Sequence, residues 1–145
     1  MGVRFEDLFE AFAFVTGGGF VEHRAFVHRE SGEVLFWSDD LEWFDDDPPE
    51  GVEYPDDLGP EWIEVPDPGH LDLGRALVRR FVEAHIPDEA RTVEGFFRRK
   101  GAYRRFKDFL YDRGLLETWY RFEEEAQRSA LRQWAKDEGL TLVEE

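Results

Sequence analysis

Phe20-Val-Glu-His-Arg-Ala-Phe-Val-His28, Arg29-Glu-Ser-Gly32 and Glu33-Val-Leu-Phe-Trp-Ser38 follow one another in the chain. The first and third pieces are rich in β-branched and aromatic residues and read as strands. The four residues between them suit a tight turn, with Gly32 in the left-handed position. A hairpin in a chain whose other apolar residues mostly recur at helical spacing makes the fold α+β.

Upstream, Phe5, Leu8, Phe9, Phe12 and Ala13 predict an amphipathic helix over residues 4–15, ended by Gly17-Gly18-Gly19. Downstream, residues 39–60 read as an acidic loop. Its ten carboxylates, from Asp39 to Asp57, are interleaved with Pro48, Pro49, Pro55 and Pro60. A structureless stretch this long is uncommon in a compact domain, so it reads as a functional flap or a partly disordered insertion. Trp62-Ile-Glu-Val65 resembles a third strand, stopped by Pro66 and Pro68.

The remainder is helical by periodicity. Leu71, Leu73, Ala76, Leu77, Phe81 and Val82 line one face of a helix over about 70–85. Pro87 opens a second helix, with Asp88 and Glu89 favoured by the dipole and Val93, Phe96 and Phe97 inside. Gly101 separates it from a helix over 102–112, and Gly114 ends that one. The last helix is expected over about 115–138, and Thr141-Leu142-Val143 suits a short edge strand. The expected architecture is a small antiparallel sheet, hairpin plus one strand, with an N-terminal helix and a C-terminal bundle of about four helices. One domain is expected over 1–145, with a sheet-bearing half (1–66) and a helical half (67–145).

The 145 residues can bury roughly two thirds of their unfolded surface, so a core forms without staples. An aromatic share of 16% argues for that core and against disorder. Cysteine is absent, which excludes disulfides and thiolate chemistry. No run approaches the roughly 20 apolar residues of a membrane span, and no signal-peptide core follows Met1, so a cytoplasmic protein is expected.

The formal charge is −16, unevenly placed. Residues 1–74 hold 3 basic and 20 acidic side chains; residues 75–145 hold 15 and 14. A field of that sign repels nucleic acid over most of the surface. Against it stands Arg98-Arg99-Lys100-Gly101-Ala102-Tyr103-Arg104-Arg105-Phe106-Lys107, with six cations and no acid. Arg98, Arg99 and Lys100 fall near a helix C-terminus, where the dipole favours cations. Arg104 and Arg105 fall in the first turn of the next helix, where the dipole has the wrong sign. An internal acidic partner, an anionic ligand or an acidic protein must therefore favour them. The Gly-led helix start also offers backbone N–H groups to a phosphate or carboxylate. Tyr103 and the neighbouring aromatics give the mixture that single-strand nucleic-acid binders use, although most of these rings are expected in the core.

Other chemistry is poorly supported. The acidic run lacks the register of a calcium loop, and His23, His28, His70 and His85 have no metal-ligand spacing. None of Ser31, Ser38 and Ser129 sits in a nucleophile elbow, and Gly17-Gly18-Gly19 lacks the residues of a phosphate loop. No catalytic residue, metal or cofactor is assigned.

Gly101-Ala-Tyr-Arg-Arg-Phe-Lys-Asp-Phe-Leu-Tyr-Asp-Arg-Gly-Leu-Leu-Glu-Thr-Trp-Tyr120, with Phe122, Trp134 and Gly139, closely resembles the signature of Uncharacterised Protein Family 0158 (UPF0158). Ser31-Gly32-Glu33-Val34 and Trp62-Ile-Glu-Val-Pro66 resemble the family's hairpin turn and Pro-bounded strand. The family usually has Phe where Tyr103 stands and a Gly-Arg-Gly lead-in where this chain has Arg99-Lys100-Gly101, and the acidic loop is longer here. The resemblance implies a small bacterial cytosolic protein of unknown function and supplies no catalytic residues.

Three functions are expected to compete. The first is a noncatalytic binding or regulatory module, in which Arg98, Arg99, Lys100, Gly101, Tyr103, Arg104, Arg105 and Lys107 meet an acidic protein or anionic small molecule. The second is RNA or single-stranded DNA binding by the same patch, disfavoured by the net charge. The third is a hydrolytic enzyme using acidic residues, which lacks a recognisable constellation. No membrane partner is expected, and the chain is read as a monomer or homodimer.

Overall fold

A computed structural model of the chain describes residues 2–17, 22–40 and 43–144, without the side chain of Trp43. The Phe20–Val21 start of the expected first strand and Gly18-Gly19 lie outside the described residues. The fold is α+β, and the chain forms two compact units. One comprises residues 1–71 and 130–145; the other comprises residues 72–129.

The first unit holds strands β1 (Val3–Arg4), β2 (His23–His28), β3 (Val34–Ser38), β4 (Trp43–Phe44) and β5 (Trp62–Glu64) and helix α1 (Phe5–Thr16). Four strands form an antiparallel sheet in the order β4-β3-β2-β5. The hairpin closes as expected, with Gly32 at φ 77 and its N–H donating to the His28 carbonyl at 3.1 Å. One sheet face meets α1, whose Leu8, Ala11 and Phe12 are buried. The other face carries Phe26, Leu35, Trp37 and Trp62.

That second face explains the acidic loop. Phe44 joins its apolar cluster, and Val52 and Leu58 pack against it. Tyr54 stands edge-on to Trp37 at 5.8 Å. The segment is therefore held down by scattered apolar residues, and its described carboxylates are exposed. It contains β4 and a short 3₁₀ turn (Pro55–Asp57), where a wholly irregular loop was expected. Period-based reading misses it because the four anchors are spread over fifteen residues among prolines and carboxylates.

Helix α5 (Leu116–Asp137) returns the chain to this unit at Ala130, where Leu131 and Ala135 are buried. Strand β6 (Leu142–Val143) then pairs in parallel with β1. Arg29, in the hairpin turn, donates to the carbonyls of Pro60 and Glu138 at 3.1 and 2.9 Å. It thereby joins the turn to the segment before β5 and the end of α5.

The second unit holds α2 (Arg75–His85), α3 (Ala90–Phe96), α4 (Ala102–Asp112) and the first part of α5. The helix expected over 70–85 starts only at Arg75. Pro68–Leu71 form a 3₁₀ turn instead, with Asp67 Oδ1 accepting from the His70 backbone N–H at 3.0 Å. The helix expected from Pro87 divides into a 3₁₀ turn (Pro87–Glu89) and α3. The core is aromatic: Phe81, Phe106 and Trp119 meet edge to face with centroids 5.1–6.4 Å apart.

A Cβ on Gly32 would collide with the Gly2 carbonyl and the Val3 backbone, whereas one on Gly51, at φ 85, meets nothing within 4 Å. Both changes to Ala carry the left-handed backbone cost of about 1–2 kcal/mol. Gly32→Ala is therefore expected to destabilise more than Gly51→Ala, measured by urea unfolding. Equal losses would refute the close approach of β1 to the turn.

Candidate functional site: a cationic face on the helical unit

Helix α3 ends at Phe96, and Phe97 forms its C-cap. Arg98, Arg99 and Lys100 lie in the turn beyond, all exposed. Gly101 adopts the left-handed conformation (φ 75) that reverses the chain into α4, and its carbonyl accepts from Arg105 N–H at 3.1 Å. No side chain caps this end of α4.

The rotation of α4 is set by Phe106 and Leu110, one turn apart and both fully buried. Arg104 consequently points outward and is exposed, while Arg105 and Lys107 are half-buried at the edges. The Arg105 guanidinium approaches the Phe96 carbonyl at 3.4 Å, capping the end of α3. The division expected from the sequence changes accordingly. Arg105 has a structural partner, whereas Arg98–Lys100 lie beyond α3 in solvent.

Within the described residues of this unit, no carboxylate lies within 4 Å of Arg98, Arg99, Lys100, Arg104, Arg105 or Lys107. Lys107 Nζ instead sits 5.6 Å from the centre of the Tyr120 ring. Arg104, Lys107, Asp108, Tyr111, Leu116 and Tyr120 line an open groove of about 460 Å³. Among the described large hydrophobic residues Tyr111 is the most exposed, at 71%.

Tyr103 stands edge-on to Phe97 at 5.1 Å, and the Arg75 guanidinium lies 5.4 Å from the centre of the Phe97 ring. Burial of its hydroxyl end and the charge of Glu123 raise the Tyr103 pKa, opposed by Arg75. Burial also raises the Glu123 pKa, opposed by Lys107. Arg75, Tyr111 and Tyr120 therefore join the residues singled out from the sequence. The signal for the tyrosines was the alternation of rings and charges after Gly101. Nothing local marked Arg75.

Elsewhere in the second unit Arg113 pairs with Glu89 at 3.1 Å. The first unit holds further paired groups. His23 stacks on Phe14 at 4.2 Å, and Arg24 makes a two-pronged contact with Glu64, both bonds 2.9 Å. His70 pairs with Asp67 at 2.8 Å, which lowers the Asp67 pKa.

The family model described as Uncharacterised protein family (UPF0158) matches residues 1–145. No curated protein matches the chain. No solved structure matches it either. Among the described residues, no helix is long and apolar enough to cross a membrane.

A carboxyl whose folded pKa is raised loses stability in its ionised form. For Glu123 that loss is complete above the folded pKa and disappears as pH falls below the unfolded value, near 4.3. Glu123→Gln is expected to raise the melting temperature at pH 7, with the gain vanishing below about pH 4. A pH-independent difference would show that burial of the charge is not the cause.

Proposed function

This chain belongs to the Uncharacterised protein family (UPF0158), and for it we propose a noncatalytic binding role. Its cationic face would recognise an anionic partner, an acidic protein segment or an anionic small molecule, in the bacterial cytoplasm. One observation carries the reading. Four exposed cations, Arg98, Arg99, Lys100 and Arg104, crowd within seven residues and have no carboxylate within 4 Å in their own unit. Like charges so close repel, and their long side chains give up little entropy only if they stay in water. An anion that contacts several at once relieves that repulsion.

Arg105 has a different part. It caps α3 and fixes the α3–α4 turn on which the others are mounted. Gly101 contributes through its backbone, since its left-handed φ lets the turn be tight. Lys107 belongs to the groove, where it faces Tyr120.

A second reading, single-stranded RNA or DNA, is favoured by exposed Tyr103, Tyr111 and Tyr120 beside these cations. Bases stack on such rings at about 1–3 kcal/mol each. The chain's charge of −16 opposes it.

Binding of labelled polyglutamate and of a single-stranded RNA oligonucleotide, followed by anisotropy at low and physiological salt, separates the two. Polyglutamate is expected to bind and to weaken with salt. Arg99→Ala/Arg104→Ala is expected to lose roughly 1 kcal/mol, the scale of two exposed ion pairs. RNA bound more tightly than polyglutamate, and lost on Tyr111→Ala/Tyr120→Ala, would favour the second reading. If neither polymer binds, the cationic face is not a recognition surface.

A further inference from the structure

Helices α2 and α3 leave between them an open pocket of about 130 Å³. Its floor is Val78 and Val82 on α2 with Val93 on α3, each only 3% exposed, and Phe97 forms one wall. The size is close to that of an apolar cavity of about 150 Å³ that accepts one benzene ring. One aromatic or branched aliphatic side chain fits it.

Charge is arranged around this pocket with a direction. Phe97, the wall, is followed immediately by Arg98 and Arg99. Arg75 lies over the Phe97 ring, and Arg79, one turn further along α2, also lines the pocket. Glu83 lies a further turn along α2, away from Arg75, and Glu94 lines the α3 side. Arg79 has no carboxylate within 4 Å among the described residues of the unit. Residues 75–107 as a whole hold ten cations and four carboxylates, a net of +6 in a chain of −16.

We infer that the helical unit binds an acidic peptide segment bearing one apolar anchor side chain, with the anchor in the α2–α3 pocket and the acids against Arg75, Arg79, Arg98 and Arg99. This rests on the anion-binding role above and names the partner's class. Apolar burial gives the complex its residence, and the arginines select an acidic context and orient the segment. The pocket needs no opening, because its floor is already formed and its mouth is bordered by the exposed Ala90.

The test uses the full chain and three labelled peptides: acidic residues flanking one leucine, the same peptide with alanine for that leucine, and polyglutamate. The leucine peptide is expected to bind about tenfold more tightly than its alanine counterpart, as burial of a leucine side chain implies. Ala90→Leu, at an exposed helical position, places a side chain at the pocket mouth. It is expected to abolish the leucine preference while leaving polyglutamate binding unchanged, with circular dichroism confirming the fold. Equal affinities for leucine and alanine peptides, both reduced in Arg98→Ala/Arg99→Ala, would overturn the anchor and leave the cationic face standing. Absence of binding by all three peptides overturns both. Leucine preference that survives Ala90→Leu places the anchor elsewhere and overturns the pocket assignment.

Discussion

Burial of Phe106 is the constraint on which the cationic face depends. Its ring has no exposed surface and meets Phe81 and Trp119 edge to face, with Phe97 at 6.2 Å. With Leu110 one turn later, it leaves α4 a single rotation about its axis. At 100° per residue, Arg104, Asp108 and Tyr111 then share the outer side, Arg105 and Lys107 fall at the margins, and Tyr103 lies on the Phe106 side in the first turn. The groove along α4 is a consequence of that rotation. So is the exposure of Arg104, despite its unfavourable place in the first turn of a helix.

The same packing holds the two sides of the patch in register. Phe97 touches both Phe106 and Tyr103 and lies under the Arg75 guanidinium. One ring therefore links α2, the α3 C-terminus and α4. Arg105 adds a polar tie by capping Phe96. Cations brought this close would repel one another in a loose loop. Here the aromatic core, worth about 0.5–1.5 kcal/mol per ring pair beyond area burial, holds their backbones in place. Water and the rings, rather than carboxylates of the same unit, offset the charge.

Much of this was legible in the sequence, for identifiable reasons. Helix α4 matches its expected span because Gly101 and Gly114, both left-handed, punctuate a clean apolar period. The β2–β3 hairpin was readable for the same reason, through Gly32. Strands β1 and β4 were not, because two-residue strands carry no period; their pairing partners lie far along the chain or across a turn. The anchoring of residues 43–60 was equally hidden, since Phe44, Val52 and Leu58 are recognisable as anchors only once Trp37 and Phe26 form a surface. At the site, the basic run stood out by composition alone, but its division did not. Which arginine caps a carbonyl and which is free depends on where α3 ends, and that is decided by tertiary packing.

The α2–α3 pocket shows why composition could mark a cationic patch but not what the patch selects. Val78 and Val82 are one turn apart on α2, and Val93 and Phe97 one turn apart on α3, so each pair reads as ordinary core. Only the antiparallel approach of the two helices leaves a gap between the pairs. Exposed ion pairs contribute about 0–1 kcal/mol each and weaken with salt, so a purely cationic face binds anions weakly and with little discrimination. At physiological ionic strength, screening over about 8 Å confines the influence of such cations to groups nearly in contact with them. An apolar cleft beside the arginines changes that balance. It adds a contribution that salt does not screen, and it requires the partner's charge and its apolar side chain to be correctly spaced.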